Sequence, residues 1–294
     1  MLLIYSAHNS PRLQYIADVL LYHLSGIPVS FTTRQDEFIA HEGPKINYSP
    51  DSLAQDELRI EPVSLLFETG ITPKNIPCKD RGGYKILFPA GNGDLPFDIF
   101  AASFYLLSRY EEYLPYQPDE YGRFAYTGST AYREGFLQQP LINYWLVDFQ
   151  KLLQSKFVSL VFAIKKFRFI PTYDIDIAFS YLHKGITRNT GGLVRALLKG
   201  ELANMKERIA VLTKKKEDPF DVYEWLYALH LKYNLQPYYF FLVAASPGEY
   251  DRNVDPRHTA MRELIRYHAA GYNTGIHPSW QSGDNSALLE EEIQ

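Results

Sequence analysis

Two carboxylates separated by one residue follow an apolar segment in the second half of the chain. Asp174 and Asp176 come directly after residues 167–173, and in an extended backbone both side chains point to the same side. Like charges this close are costly unless a cation joins them. The pair therefore indicates a divalent metal site, in which one carboxylate binds the metal and the other acts as general base on a water molecule. The alternative, with equal weight on the local sequence, is that both aspartates cap or form a turn before the next helix.

A histidine ends a second segment of the same kind. His277 follows residues 272–276 and precedes Pro278, which biases its backbone toward an extended conformation. A neutral imidazole at the end of a strand is a good metal ligand. Behind it, Trp280 is a candidate for an apolar or sugar-stacking wall and Ser279 for a hydrogen-bond donor. For both residues the structural alternative is favoured, with Ser279 capping a turn and Trp280 packing in the core.

The segments around these clusters alternate between extended and helical patterns. This rhythm predicts βα repetition, and hence a parallel sheet or barrel. In such folds the chemistry collects at the carboxyl ends of the strands, where both polar clusters are expected. The predicted order is extended at 168–173, helical at 192–213 and 221–233, extended at 237–243, helical at 257–270 and extended at 272–276.

The first half of the chain also has α/β character. A strand at 2–6 precedes a helix that begins at Ser10-Pro11, an N-cap followed by a first-turn proline. No glycine-rich loop follows this strand, so nucleotide binding is not indicated and the region is interpreted as a supporting domain. Further elements are predicted as strands at 29–33, 63–67 and 85–88 and helices at 97–113 and 140–154.

Length and composition restrict the class of protein. With 294 residues the chain is expected to form two domains, predicted at 1–157 and 158–294. A net charge of −4 argues against nucleic-acid binding. No apolar run approaches the roughly 20 residues of a membrane span, and Cys78 is the single cysteine, which leaves no intrachain disulfide. Because the amino terminus has neither a basic flank nor a long apolar core, a cytoplasmic location is expected.

Taken together, the two clusters resemble the first two motifs of the polysaccharide deacetylases, carbohydrate esterase family four. The stretch Thr-Tyr-Asp-Ile-Asp at 172–176 is similar to the first motif, and Gly-Ile-His-Pro-Ser-Trp at 275–280 is similar to the second. Segments at 218–221, 239–242 and 135–137 are also similar to a bacterial group of this family that carries an extra N-terminal domain.

The resemblance implies a function and a fold. Asp174 would be the catalytic base, and Asp176 and His277 would bind a divalent metal, zinc before others. The implied substrate is an N-acetylated saccharide, beside which Tyr173, Ser279 and Trp280 would lie. The implied fold is an N-terminal α/β domain followed by a partial (β/α) deacetylase-type barrel that is truncated at Gln294.

Two departures from the family pattern qualify this hypothesis. Gln281 stands where the family has a second metal-binding histidine, so the third ligand is open between His183, Asp284 and a residue outside this chain. The family's later strands, with an arginine near the base and a histidine that acts as the acid, are also missing. This chain by itself is therefore expected to be weakly active or inactive.

Two other functions stay open. The first is a non-catalytic carbohydrate-binding or regulatory module on the deacetylase scaffold, which Gln281 and the 23 tyrosines favour. The second is a metal-dependent hydrolase that acts on a non-sugar amide. The sequence indicates no oligomeric state.

Overall fold

The computed structural model describes residues 1–163, 166–244, 248 and 251–294. It divides into two compact units, unit 1 at residues 1–165 and unit 2 at residues 166–294. Each unit combines helices with a parallel sheet. The predicted α/β class is therefore confirmed.

Unit 1 is built on a four-stranded parallel sheet of order β2-β1-β3-β4, with a separate antiparallel hairpin. The inner strand at residues 2–6 is buried along its whole length, as expected for a parallel strand covered on both faces. The strands are β1 (Leu2–Ser6), β2 (Val29–Thr32), β3 (Lys45–Tyr48) and β4 (Leu58–Arg59), and the hairpin is β5 (Cys78–Arg81) and β6 (Tyr84–Leu87).

The predicted strand at 63–67 is wrong, because this segment is a 3-10 helix, Ser64–Phe67. Its carbonyl groups bond side chains of the first helix instead of a neighbouring strand. Arg12 donates to the Leu65 carbonyl at 2.7 Å, and Ser10 donates to the Leu66 carbonyl. Both leucines are buried, so the apolar run reflects core packing and not strand pairing.

Five α-helices belong to the described part of unit 1: α1 (Pro11–Ala17), α2 (Gln35–Ala40), α3 (Ile99–Leu107), α4 (Thr130–Arg133) and α5 (Leu141–Lys156). The predicted cap of α1 is confirmed, since the Ser10 hydroxyl accepts from the Leu13 N–H, and a π-helical segment, Asp18–His23, continues this helix. The helix predicted at 97–113 is shorter, because Arg109 adopts a φ of 52° and a 3-10 turn follows it.

A fully buried carboxylate joins the sheet of unit 1 to helix α3. Asp98 accepts hydrogen bonds from the Tyr48 hydroxyl at 2.6 Å, from the Val63 N–H at 2.9 Å and from the Ala101 N–H at 3.0 Å. Burial raises the pKa of Asp98 to about 6, although these three hydrogen bonds act in the opposite direction. The folded unit therefore holds this proton more tightly than the unfolded chain does.

The raised pKa of Asp98 predicts a pH-dependent stability of unit 1. A raised folded-state pKa contributes stability that is complete below about pH 4 and is lost as the pH rises through about 6. Between those values Asp98 is expected to lower the free energy of unfolding by about 3 kcal/mol. Asp98→Asn should remove this change of the unfolding free energy with pH. Urea unfolding, followed by Trp145 fluorescence in a chain with Trp225 and Trp280 replaced by phenylalanine, measures the unfolding free energy at each pH. Equal slopes in both proteins would contradict the prediction.

Unit 2 is built on a three-stranded parallel sheet of order β7-β8-β9. The strands are β7 (Thr172–Ile175), β8 (Tyr238–Leu242) and β9 (Asn273–His277). The parallel sheet is as predicted, whereas the strands that the structure describes form an open sheet and not a closed barrel. The barrel remains a hypothesis from the resemblance.

The helices described in unit 2 are α6 (Gly185–Leu198), α7 (Leu202–Leu212), α8 (Tyr223–Tyr233), α9 (Thr259–Ala269) and α10 (Ser286–Ile293). The single helix predicted at 192–213 is wrong, because Gly200 takes a φ of 69° between α6 and α7. The Glu201 N–H then reaches back to the Ala196 carbonyl at 2.8 Å, as in a glycine-terminated helix.

The two faces of this sheet differ in how they are covered. Tyr239 and Phe241 are buried and pack with Tyr223, Val254 and Met261. Along β7 and just after it, the side chains that alternate with the covered ones are exposed: Thr172, Asp174 and Asp176. The polar side chains of strand β7 therefore share the open face.

Among the described residues, no helix is both long and apolar enough to cross a lipid bilayer.

Candidate functional site

The register of the sheet brings the two predicted clusters to the same edge. Ile175 pairs with Phe241, and Leu242 pairs with His277. Asp176 follows Ile175, so it leaves its strand at the level where His277 ends β9. The His277 Nε2 atom lies 3.7 Å from the Asp176 Oδ1 atom. The structure thus brings together the aspartate and the histidine that the sequence proposed as ligands of one metal.

The tautomer of His277 follows from its second nitrogen. Nδ1 lies 2.9 Å from the Pro278 carbonyl oxygen, which can only accept, so in the neutral imidazole Nδ1 carries the proton. The Nε2 lone pair then faces the Asp176 carboxylate. Two acceptors at this distance form a pair that a shared proton or a shared cation would stabilise. This orientation of a histidine by a backbone carbonyl is typical of metal ligands.

The spacing of the two groups fits a shared divalent cation. Two ligand atoms at about 2.0–2.2 Å from one tetrahedral zinc ion lie about 3.4 Å apart, close to the observed 3.7 Å. The Asp176 side chain is 65% exposed and that of His277 is 38% exposed, so an ion can enter from solvent. An isolated exposed ion pair would stabilise the fold very little.

Asp174 occupies the same open face two residues before Asp176 and is exposed. Across the sheet, Asp174 aligns with Phe240, and Phe240 aligns with Gly275. A β-carbon at Gly275 would lie 2.8 Å from the Phe240 ring, so the glycine leaves room for that ring. An aromatic surface therefore adjoins the carboxylates on the open face.

Within the described residues, no group of three or more histidine, cysteine, aspartate or glutamate side chains could hold a metal, so no third candidate ligand joins Asp176 and His277. The His183 ring packs against Phe179 and His258, at centroid distances of 4.7 and 5.2 Å. Asp284 ends a 3-10 helix, Trp280–Asp284, and is exposed. The described donor set is therefore one carboxylate and one imidazole.

A buried asparagine that the sequence analysis missed holds the backbone around Asp176. The Asn253 Nδ2 group donates to the carbonyls of Ile175 at 3.0 Å and Leu242 at 3.2 Å. Its Oδ1 atom accepts from the N–H groups of Ala178 at 3.0 Å and Val254 at 2.8 Å. These contacts lie on both sides of Asp176 and join the ends of β7 and β8. No pattern in the sequence links this loop asparagine to the aspartates.

A second buried group fixes the loop that continues from Asp176. The Asp218 carboxylate accepts from the N–H groups of Ser180, Tyr181, Leu182 and Phe220, at 2.7 to 3.0 Å. Burial raises the pKa of Asp218, but the four backbone donors outweigh burial and the pKa is lowered. The sequence analysis singled out its segment, residues 218–221, but only the structure shows this role.

The contacts of Asn253 predict a large loss of stability on Asn253→Asp. The substitution removes both donated hydrogen bonds and places a carboxylate against two buried carbonyl oxygens. We expect about 2–5 kcal/mol of destabilisation in chemical unfolding of unit 2. Asn285→Asp is the matched control, because Asn285 is an exposed N-cap at which aspartate is equally favourable. A loss below about 1 kcal/mol for Asn253→Asp would contradict this assignment.

The structure corrects one proposed substrate contact. Tyr173 lies on the covered face of the sheet, opposite Asp174 and Asp176, because side chains alternate along a strand. Its ring stacks on Tyr239 at 5.0 Å, and its hydroxyl lies 2.9 Å from Nε2 of the buried His230. Tyr173 therefore packs within unit 2 and positions β7, on the face opposite the two aspartates.

The other two proposed substrate contacts differ from each other. Ser279 is buried, and its hydroxyl accepts from the Ser282 N–H as the N-cap of the 3-10 helix, which favours the structural role. Trp280 follows it and is 48% exposed, while its backbone N–H donates to the buried Asp251 carboxylate at 3.0 Å. The exposed ring keeps Trp280 as the candidate wall of the site.

Comparison with known proteins gives one match. A sequence profile described as "Family of unknown function (DUF7033)" matches residues 2–158, just over half of the chain. No curated protein matches the chain, and no solved structure matches it. The matched residues fall within unit 1, whereas the two polar clusters belong to unit 2.

Proposed function

Since the chain belongs to the family of unknown function (DUF7033), whose description assigns no activity, we propose a function from the geometry of unit 2. We propose that unit 2 is a metal-dependent hydrolase that removes the acetyl group from an N-acetylated amino sugar. The observation that carries this proposal is the approach of His277 Nε2 to Asp176 Oδ1 at the carboxyl edge of a parallel sheet.

Each polar residue has a role in this proposal. Asp176 and His277 would hold the cation, and a bound zinc ion would polarise the acetamide carbonyl and lower the pKa of water. Asp174, exposed on the same face, would take a proton from the water whose oxygen bonds to the carbonyl carbon. The carbon–nitrogen bond then breaks, and the departing amine needs a proton that no described residue is assigned to supply.

The missing acid determines which substrate tests the proposal. In 4-nitrophenyl acetate the leaving phenolate departs without a proton, so hydrolysis needs water activation alone. We expect the chain, stripped of metal and reloaded with one equivalent of zinc, to hydrolyse this ester faster than the metal-free chain does. Acetate release from an N-acetylglucosamine tetramer should depend on zinc as well, but should be slower. Identical ester rates with and without zinc would refute the hydrolase.

The choice of an acetylated sugar is tested separately. A panel that compares the N-acetylglucosamine tetramer with small cyclic amides should show zinc-dependent cleavage of the sugar amide alone. The exposed Trp280 ring supports this choice, because an aromatic ring offers an apolar face together with a polar edge. Faster cleavage of a cyclic amide would reassign the enzyme to non-sugar substrates.

A second candidate function is supported by the incomplete donor set. Gln281 stands where a second histidine is expected, and the described residues supply two ligands near one another. A non-catalytic saccharide-binding module on the same scaffold would keep Trp280 without needing a complete metal site. Saccharide binding that is lost in Trp280→Ala but does not change with zinc, together with zinc-independent ester rates, would favour this module.

A further inference from the structure

Unit 1 contains a cavity of about 690 Å³ that the proposed hydrolase does not use. Its walls come from residues 73–76, from Tyr105 and Glu111, from residues 114–118, and from part of the segment 124–134. Its size is that of a site for a small molecule or a short oligosaccharide. It belongs to the part of the chain that matches the family of unknown function.

One wall of this cavity is held rigid by a paired carboxylate. Glu111 accepts from the Thr130 N–H at 2.9 Å and from the Thr130 hydroxyl at 2.6 Å, and Arg133 lies 3.5 Å from the same carboxylate. Glu111 precedes the loop at 114–128 and Thr130 follows it, so these bonds close the loop at its base. These contacts therefore hold the two ends of the loop together without a ligand.

Exposed tyrosines surround this loop. Tyr116 lines the cavity with 41% of its surface exposed, and its ring meets Phe124 edge to face at 5.4 Å. Four more tyrosines in the same stretch are between 48% and 68% exposed: Tyr113, Tyr121, Tyr126 and Tyr132. These four are not part of the cavity lining, whereas the exposed Tyr116 ring is and offers its apolar face to a ligand.

The polar groups that remain available in the lining are neutral. The side chains of Asn75, Gln117 and Thr127 have no hydrogen-bond partner within the described residues, and all three are exposed. An amide offers both donors and an acceptor, and a hydroxyl offers one of each, as sugar hydroxyl groups require. An apolar ligand would strip these groups of water without replacing their hydrogen bonds.

The charged groups of the lining are already paired. Lys74 lies 2.5 Å from Glu68, and Arg133 contacts Glu111. Glu134 lies 3.7 Å from Lys85. An anionic ligand such as a nucleotide would have to break these pairs, so a neutral polyhydroxylated ligand fits better than a charged one.

We propose that this cavity is a binding site for a neutral pyranose oligosaccharide. The proposal rests on unit 1 alone and does not depend on the hydrolase proposed for unit 2. Tyr116 supplies the stacking surface, and Gln117 supplies hydrogen bonds to the sugar hydroxyl groups.

Calorimetric titration of the full chain with two probes tests this site. The probes are cellotetraose and the N-acetylglucosamine tetramer, so that the comparison also shows whether the acetamide group contributes. Tyr116→Ala should weaken binding of the preferred probe at least about tenfold, and Gln117→Ala about threefold. Tyr22→Ala, at a tyrosine of unit 1 that is 53% exposed and lies outside the cavity, is the matched control and should leave the affinity unchanged.

Several outcomes would overturn the proposal. Binding of neither probe at millimolar concentration would exclude the ligand class. Equal affinity of the unmodified chain and the Tyr116→Ala chain would exclude the cavity, as would binding lost in Trp280→Ala instead. Cellotetraose has no acetamide group and is not a substrate of the proposed hydrolase, so its affinity reports on the cavity alone. Tyr116→Ala should leave the zinc-dependent ester rate of unit 2 unchanged, so failure of the hydrolase and failure of this site can be distinguished.

Discussion

Replacement of His277 by alanine is expected to weaken zinc binding by more than about 100-fold. The loss should exceed the 10–100-fold typical of changes to groups that only orient a ligand, because Nε2 is itself a proposed ligand. Asp176→Ala is expected to have an effect of similar size. Competition with a chromophoric zinc chelator measures these affinities on the folded, full chain.

Two matched substitutions control for general effects of losing a histidine or a carboxylate. His258 is the N-cap of α9 and accepts from the Ala260 N–H, and asparagine can keep this cap. His258→Asn therefore tests whether the neighbouring pair His183 and His258 binds the zinc instead. Asp221→Asn removes an exposed carboxylate from the same unit. Both variants should bind zinc as the unmodified chain does. If His258→Asn lost the metal while His277→Ala kept it, the ligand assignment would be wrong.

Replacement of Asp174 by asparagine is expected to lower the zinc-dependent rate of ester hydrolysis by about 10²–10⁴-fold, the usual contribution of a general base. Asparagine has nearly the shape of aspartate but cannot take the proton from water. Zinc affinity should stay within about threefold of the unmodified chain, because Asp174 is proposed as base and not as ligand. Initial rates with 4-nitrophenyl acetate at saturating zinc measure the effect.

The Asp174→Asn experiment separates the two carboxylates. Loss of rate together with loss of zinc would make Asp174 a ligand and leave the base unassigned. An unchanged rate with zinc retained would remove Asp174 from the chemistry altogether. Far-ultraviolet circular dichroism should be unchanged in either case, since the side chain is exposed on the open face of the sheet.

The meeting of Asp176 and His277 could be expected from the sequence because it needs only strand direction. In a parallel sheet all carboxyl ends lie at one edge, so residues that follow two strands meet there if the strands are close. The sequence did not specify that β8 lies between β7 and β9. Although one strand separates them, the His277 Nε2 and Asp176 Oδ1 atoms lie 3.7 Å apart.

Side-chain direction was the part of the site that motif spacing did not predict correctly. Tyr173 adjoins Asp174 in the sequence, but period-two alternation sends it to the opposite face, against Tyr239 and His230. Asn253 and Asp218 were missed for another reason. Their roles depend on hydrogen bonds to the backbone of distant loops, which a single sequence does not reveal.

Helix ends were the least predictable feature of the fold. The apolar periodicity at 97–113 continues past the point where Arg109 turns to positive φ, and periodicity at 192–213 continues across Gly200. A short apolar run at 63–67 fits a strand as well as a 3-10 turn, since both bury consecutive leucines. Tertiary hydrogen bonds decided the case at 63–67, whereas a local positive φ ended the helices before Arg109 and at Gly200.

Diffraction from crystals of the full chain grown with zinc, collected on both sides of the zinc absorption edge, tests the central claim most directly. The account predicts one anomalous peak between His277 Nε2 and Asp176 Oδ1, about 2 Å from each atom. A peak at another site, such as the His183 and His258 pair, or no peak at stoichiometric zinc, would contradict it.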